Sequence, residues 1–142
     1  MAIIAIPSSN KGGLNEIFDP RFGRCESITF ITIEGKEIKE VKAVENPAAA
    51  AMGGAGIKAT EVIGNNGAST VIVGHLGPNA AQSLNTLKVE ILQQSNMNAT
   101  VKETLESYLK GNLNPISEAN VSPHYGMGRS GQGVQRRFQG GR

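Results

Sequence analysis

Residues 27–45 read Ser-Ile-Thr-Phe-Ile-Thr-Ile-Glu-Gly-Lys-Glu-Ile-Lys-Glu-Val-Lys-Ala-Val-Glu. Two strand-like runs, Ser27 to Glu34 and Glu37 to Glu45, flank Gly35-Lys36. Glycine in the first position suits a two-residue hairpin turn. The second run carries Lys39, Glu40 and Lys42, charges that mark a sheet edge. Ile3 to Ile6 before the hairpin, and Thr70 to Val73 and Val89 to Leu92 after it, are short aliphatic runs. Strands buried on both faces of a parallel sheet have this composition.

Three helices separate and follow the later strands. Ala55, Ala59, Val62 and Ile63 share one face, and Ala80, Leu84 and Leu87 form a second stripe begun at Gly77-Pro78. In the third, Thr100 and Glu103 make a capping box, Val101, Leu105, Tyr108 and Leu109 make the stripe, and Lys110-Gly111 makes the stop. A hairpin joined to βα units predicts an α/β fold: a three-layer α/β/α sandwich around a mixed five-stranded sheet. The expected strand order is 3-2-1-4-5 with strand 2 antiparallel to the rest, a ribonuclease H-like arrangement.

The chain of 142 residues matches one ordinary domain, and its 39% apolar and 18% charged residues suit a globular protein. Residues 1–110 carry ten Lys/Arg against eleven acids, whereas 111–142 carry four Arg against one Glu. The later segment, with its run Tyr125-Gly126-Met127-Gly128-Arg129, has too few aliphatic residues to offset its ordering entropy. The expected division is therefore a domain at 1–111 and a Gly/Arg-rich flexible tail at 112–142. Met1-Ala2-Ile3-Ile4-Ala5-Ile6 stops at Pro7 without the basic start or cleavage site of a signal peptide. No apolar run approaches the roughly 20 residues that span a membrane. The expected location is the cytoplasm, with no membrane or nucleic-acid partner.

Composition also limits the chemistry. A single cysteine, Cys25, excludes an intrachain disulfide and a four-cysteine metal or iron–sulfur site within one chain. Asp19 is the sole aspartate, and the first strand bears no acid, so the carboxylates that hold Mg²⁺ in nucleases and phosphotransferases are missing. There is no G-x-x-x-x-G-K-[ST] and no G-x-S-x-G. Gly54-x-Gly56-x-x-Ala59 matches a dinucleotide fingerprint but stands apart from the preceding strand, and no acid ends the next one.

In the expected topology, strands 1 and 4 form a switch point where open α/β sheets bind ligands. Three glycine-bearing stretches converge there: Pro7 to Gly13, Met52-Gly53-Gly54-Ala55-Gly56, and Gly74-His75-Leu76-Gly77-Pro78-Asn79. Such loops turn backbone N–H groups toward a guest, and helix N-termini favour negative charge. Lys11, Arg21 and Arg24 would add positive charge to this anion crevice. The same glycines equally serve as plain turn residues. His75 reads either as an imidazole ligand or proton donor, or as a histidine bonded to backbone. Cys25 reads either as a thiolate favoured by Arg24 or as a small residue entering a strand.

Several motifs occur in a telling order. They are Asp19-Pro20-Arg21-Phe22-Gly23-Arg24-Cys25 followed by Phe30, Asn46-Pro47, Gly53-Gly54-Ala55-Gly56-Ile57, Gly74-His75-Leu76-Gly77-Pro78-Asn79-Ala80, and Tyr108-Leu109-Lys110-Gly111-Asn112-Leu113. As a set, over about residues 1–113, they resemble the dinitrogenase iron–molybdenum cofactor biosynthesis family, which includes NifX, NafY, the C-terminal part of NifB and a molybdenum–copper orange protein. The resemblance implies a non-catalytic carrier of a Mo-, Fe- or Cu-containing metal–sulfur cluster or iron–molybdenum cofactor precursor, held non-covalently. Its partners would be cluster donor or acceptor proteins. By position, the binding residues would be Arg21, Arg24, Gly53, Gly54, Ala55, Gly56, His75, Gly77 and Asn79, with His75 or Cys25 as direct metal ligands. The competing reading is an interaction or regulatory module that binds a partner or small anion without metal.

Overall fold

A computed structural model describes residues 1–47, 54–116 and 118–119. Its strands are β1 (Ala2–Ser8), β2 (Ser27–Glu34), β3 (Glu37–Glu45), β4 (Thr70–Val73), β5 (Glu90–Gln93) and β6 (Asn114–Pro115). Its helices are α1 (Ala55–Asn65), α2 (Pro78–Leu87) and α3 (Val101–Leu109). The sheet order is β3-β2-β1-β4-β5-β6. β1 runs parallel to β4 and β4 to β5, while β2 is antiparallel to both β1 and β3.

The expected order is present, but the sheet has six strands rather than five, and β2 is not alone in running backwards. β6 pairs antiparallel with β5 through Leu92 to Pro115 and Gln93 to Asn114. Two residues carry no readable periodicity, and proline in a strand is tolerated at an edge such as this one.

Side-chain alternation divides the core between the two faces of the sheet. Ala5, Ile28, Phe30, Val71 and Val73 meet Ala59, Ile63, Ala80 and Leu84 of α1 and α2. On the opposite face Ile4, Ile6, Ile31, Ile33 and Ile72 meet Val101 and Leu105 of α3. Two helices thus cover one face and one helix the other. Leu87, expected in the α2 stripe, is instead 39% exposed and lines a groove between α1 and α2. Gly64 leaves room for it there, since a Cβ at that position would lie 3.3 Å from Leu87 Cδ1.

The capping box of α3 is formed: Glu103 N–H donates to Thr100 Oγ1 at 3.0 Å, and Thr100 N–H donates to Glu103 Oε1 at 2.9 Å. The predicted tail beyond Ala119, with His124, Met127 and its arginines, lies outside the described residues, as does Gly53.

Candidate functional site

The C-terminal ends of β1 and β4 are crossed by the segment 14–21, which was not legible as structure in the sequence. It is anchored by backbone bonds alone at several points. Phe18 N–H donates to Ala99 O at 2.9 Å, Val101 N–H to Glu16 O at 2.8 Å, and Lys102 N–H to Leu14 O at 3.0 Å. Asp19 N–H donates to Pro7 O at the end of β1, and His75 N–H donates to Pro20 O, 2.6 Å away, just past β4. The switch point is therefore floored by residues 19–21 rather than open.

Close approach makes this floor possible. A Cβ at Gly74 would fall 2.5 Å from Pro20 Cβ, so only glycine lets the segment lie against the end of β4. The result is a one-residue parallel bridge between Arg21 and His75, which brings two of the predicted site residues side by side. His75 is part-buried, held through its backbone, and its buried Nδ1 receives no hydrogen bond among the described residues.

Asp19, 4% exposed, holds Arg21 in a side-on pair. Arg21 Nε donates to Oδ1 at 3.1 Å, Nη2 to Oδ2 at 3.0 Å, and the Arg21 backbone N–H to Oδ1 at 3.0 Å. The hydrogen bonds to Asp19 raise the Arg21 pKa above its ordinary value, and partial burial of the guanidinium works against them. Asp19 was missed as a site residue. The available signal was its spacing, because an aspartate commonly accepts the backbone N–H two positions on.

The N-termini of α1 and α2 meet beside this pair. A Cβ on Gly56 would lie 2.8 Å from Ala80 Cβ, and one on Gly23 would lie 3.2 Å from Gly56 N. Gly23 thus lets the 21–25 turn approach the start of α1, and Gly56 lets the starts of α1 and α2 approach each other. Among the described residues neither helix has a side-chain cap, and neither has an acid in its first turn: α1 starts after Gly54 in a left-handed conformation, and α2 after Gly77. α3, by contrast, has both. An uncapped N-terminus keeps its N–H groups and positive dipole end for another acceptor. Arg24 lies in the same turn, its N–H on Arg21 O at 2.9 Å, while Asn79 lines the α1–α2 groove, a cleft of about 850 Å³.

One expectation is corrected, and one open choice is resolved. The loop after β1 does not face this site: a Cβ on Gly12 would strike Thr29, Ala43 and Ser27, and Lys11 lines a separate groove with Glu26 and Glu45. Polar side chains draw it there, since Gly13 N–H donates to Thr29 Oγ1 and Asn10 N–H to Glu26 Oε1. At Cys25, of the two readings left open, the small residue entering a strand holds and the thiolate favoured by Arg24 does not. Its side chain is fully buried, and burial pushes the thiol up to about 12. Buried Asn46 closes over it, donating from Nδ2 to Cys25 O at 2.8 Å, Gly23 O at 3.2 Å and Cys25 Sγ at 3.5 Å. Among the described residues, no group of three or more His, Cys, Asp or Glu side chains is placed to hold a metal ion, and no helix is long and apolar enough to cross a membrane.

A family model described as dinitrogenase iron-molybdenum cofactor matches residues 1–111. An uncharacterised protein of Methanocaldococcus jannaschii is 31% identical over 110 residues, covering 78% of this chain and 87% of that protein. The apo form of the orange protein of Desulfovibrio gigas superposes with a TM-score of 0.76 at 28% identity, over 85% of this chain and 98% of that one. A NifB-like protein of Thermotoga superposes with a TM-score of 0.72 at 27% identity, with the same coverage.

Proposed function

The chain belongs to the dinitrogenase iron-molybdenum cofactor family, and we propose that it is a non-catalytic accessory protein that carries an anionic metal–sulfur cluster or cofactor precursor. The observation that carries this reading is the pair of uncapped, acid-free helix N-termini beside Arg21 and His75. A thiometallate-type cargo presents soft, negatively charged sulfur acceptors. It is held by N–H donors and cations without a set of cysteines. Arg21 and Arg24 supply charge, the backbone at Gly54, Ala55, Gly56, Gly77 and Asn79 supplies donors, and His75 is the metal-ligand candidate at this face. Cys25 joins it only if the core covering its sulfur opens.

The strand order with β2 reversed supports a ribonuclease H-like assignment, without the acids on β1 that such folds use for catalysis. Cluster donor and acceptor proteins in the cytoplasm would be the partners. Anaerobic reconstitution with tetrathiomolybdate plus copper, or with a cofactor precursor, followed by gel filtration and visible absorption, tests the reading. A chromophore that co-elutes with the protein, and that is weakened by Arg21→Ala with Arg24→Ala, is the expected result. Colourless protein under every such condition overturns it, and a stoichiometric partner on that colourless protein favours an interaction module.

A further inference from the structure

We infer that Asp19 is a positioning residue, one that turns a free edge of the Arg21 guanidinium outward as a two-pronged anion clamp. The inference rests on the proposed carrier site and names the group that shapes it. A guanidinium has five N–H donors in a fixed plane. Asp19 takes the side edge, through Nε and one proton of Nη2. The end edge, one proton of Nη1 and the second on Nη2, makes no hydrogen bond among the described residues, nor does the remaining Nη1 proton. Asp19 is 4% exposed and the Arg21 side chain 45%, so the edge left over is the one on the solvent side.

Two parallel donors in one plane suit an anion with two neighbouring acceptor atoms, such as a tetrahedral oxo- or thioanion. Asp19 is itself held at the floor of the site by its N–H on Pro7 O. The ring of bonds fixes the clamp before any ligand arrives, which lowers the ordering cost of binding.

Positioning and plain charge make opposite predictions. Removing a carboxylate beside the site raises local positive charge and, by Coulomb attraction alone, tightens anion binding. Loss of orientation weakens it. Asp19→Asn is the informative change, because an amide oxygen in the Oδ1 place still accepts the Arg21 backbone N–H and Nε–H while Nδ2, a donor, replaces the Oδ2 that accepts from Nη2, so the two-pronged pair is broken. With tetrathiomolybdate as probe on the full chain, Asp19→Asn is expected to weaken retention about tenfold. Arg21→Lys, which keeps the charge but has no fork, should weaken it similarly, and Asp19→Asn should add nothing in an Arg21→Ala background. Unchanged or tighter binding by Asp19→Asn overturns the inference.

A second readout needs no cargo. The Arg21 Nε–H resonance should be resolved and slow to exchange in the parent protein and broadened in Asp19→Ala, which removes the Oδ1 that accepts it. Equal protection in both also overturns the inference. If the parent protein keeps that resonance but retains no thiometallate, the carrier reading fails while the orientation of Arg21 stands.

Discussion

Cys25 shows how one buried residue links packing to pH. Its thiol is pushed from an ordinary 9.0 up to about 12 by burial. Between those values the unfolded chain loses the thiol proton while the folded one keeps it, so the native state binds more protons. Stability is therefore full below about pH 9 and falls as pH rises through that window, by roughly 1.4 kcal/mol per unit. Urea unfolding of the parent and of Cys25→Ala from pH 8 upward checks this: the Cys25-dependent part of the slope should vanish in the variant. The same residue marks a limit of sequence reading. Arg24 beside Cys25 left two readings open, a thiolate and a small residue entering a strand, and proximity in sequence says nothing about the Asn46 amide that closes over the sulfur and favours the second. Asp19 was visible as a lone acid, and only the fold shows that both its oxygens are occupied by Arg21.

At the scale of elements, α2 ends under local strain. Lys88 caps it at φ 66° and ψ 32°, in the left-handed region that costs a side-chain-bearing residue about 1–2 kcal/mol. Lys88→Gly should raise stability by about 0.5–1 kcal/mol, less than the full relief because glycine also loses more chain entropy on folding. Thermal unfolding measures it, and a lower midpoint would place a needed contact on the lysine side chain. Element boundaries were legible where local chemistry sets them. β2 and β3 end at their glycine turn, β4 is its aliphatic run, and α3 begins at its capping box. The crossing segment 14–21 was not legible, because its bonds are backbone to backbone between distant, irregular stretches. β6 was missed for the same reason: pairing, not periodicity, defines it.

The whole molecule closes with residues that the sequence reading had assigned to the tail. Ile116 N–H donates to Ile91 O at 3.0 Å, and its side chain packs against the α1–α2 core. A chain ending at Ala119 should therefore be more stable than one ending at Gly111, by about 1–2 kcal/mol in guanidinium unfolding. Equal stabilities would show that β6 adds nothing. At this scale the site was half legible. The topology put Arg21, His75 and the two helix starts at one end of the sheet, but it left open a crevice that residues 19–21 fill. That floor has a consequence for biogenesis. Pro20 and His75, far apart in the chain, are joined by one bond that exists only after β4 has docked beside β1. A nascent chain released as far as β3 would hold Arg21 on a loop tied to β1 through Asp19 and Pro7, with neither β4 nor a helix start beside it. The proposed anion site would then not exist until synthesis and folding are essentially complete, and it would belong to finished molecules alone.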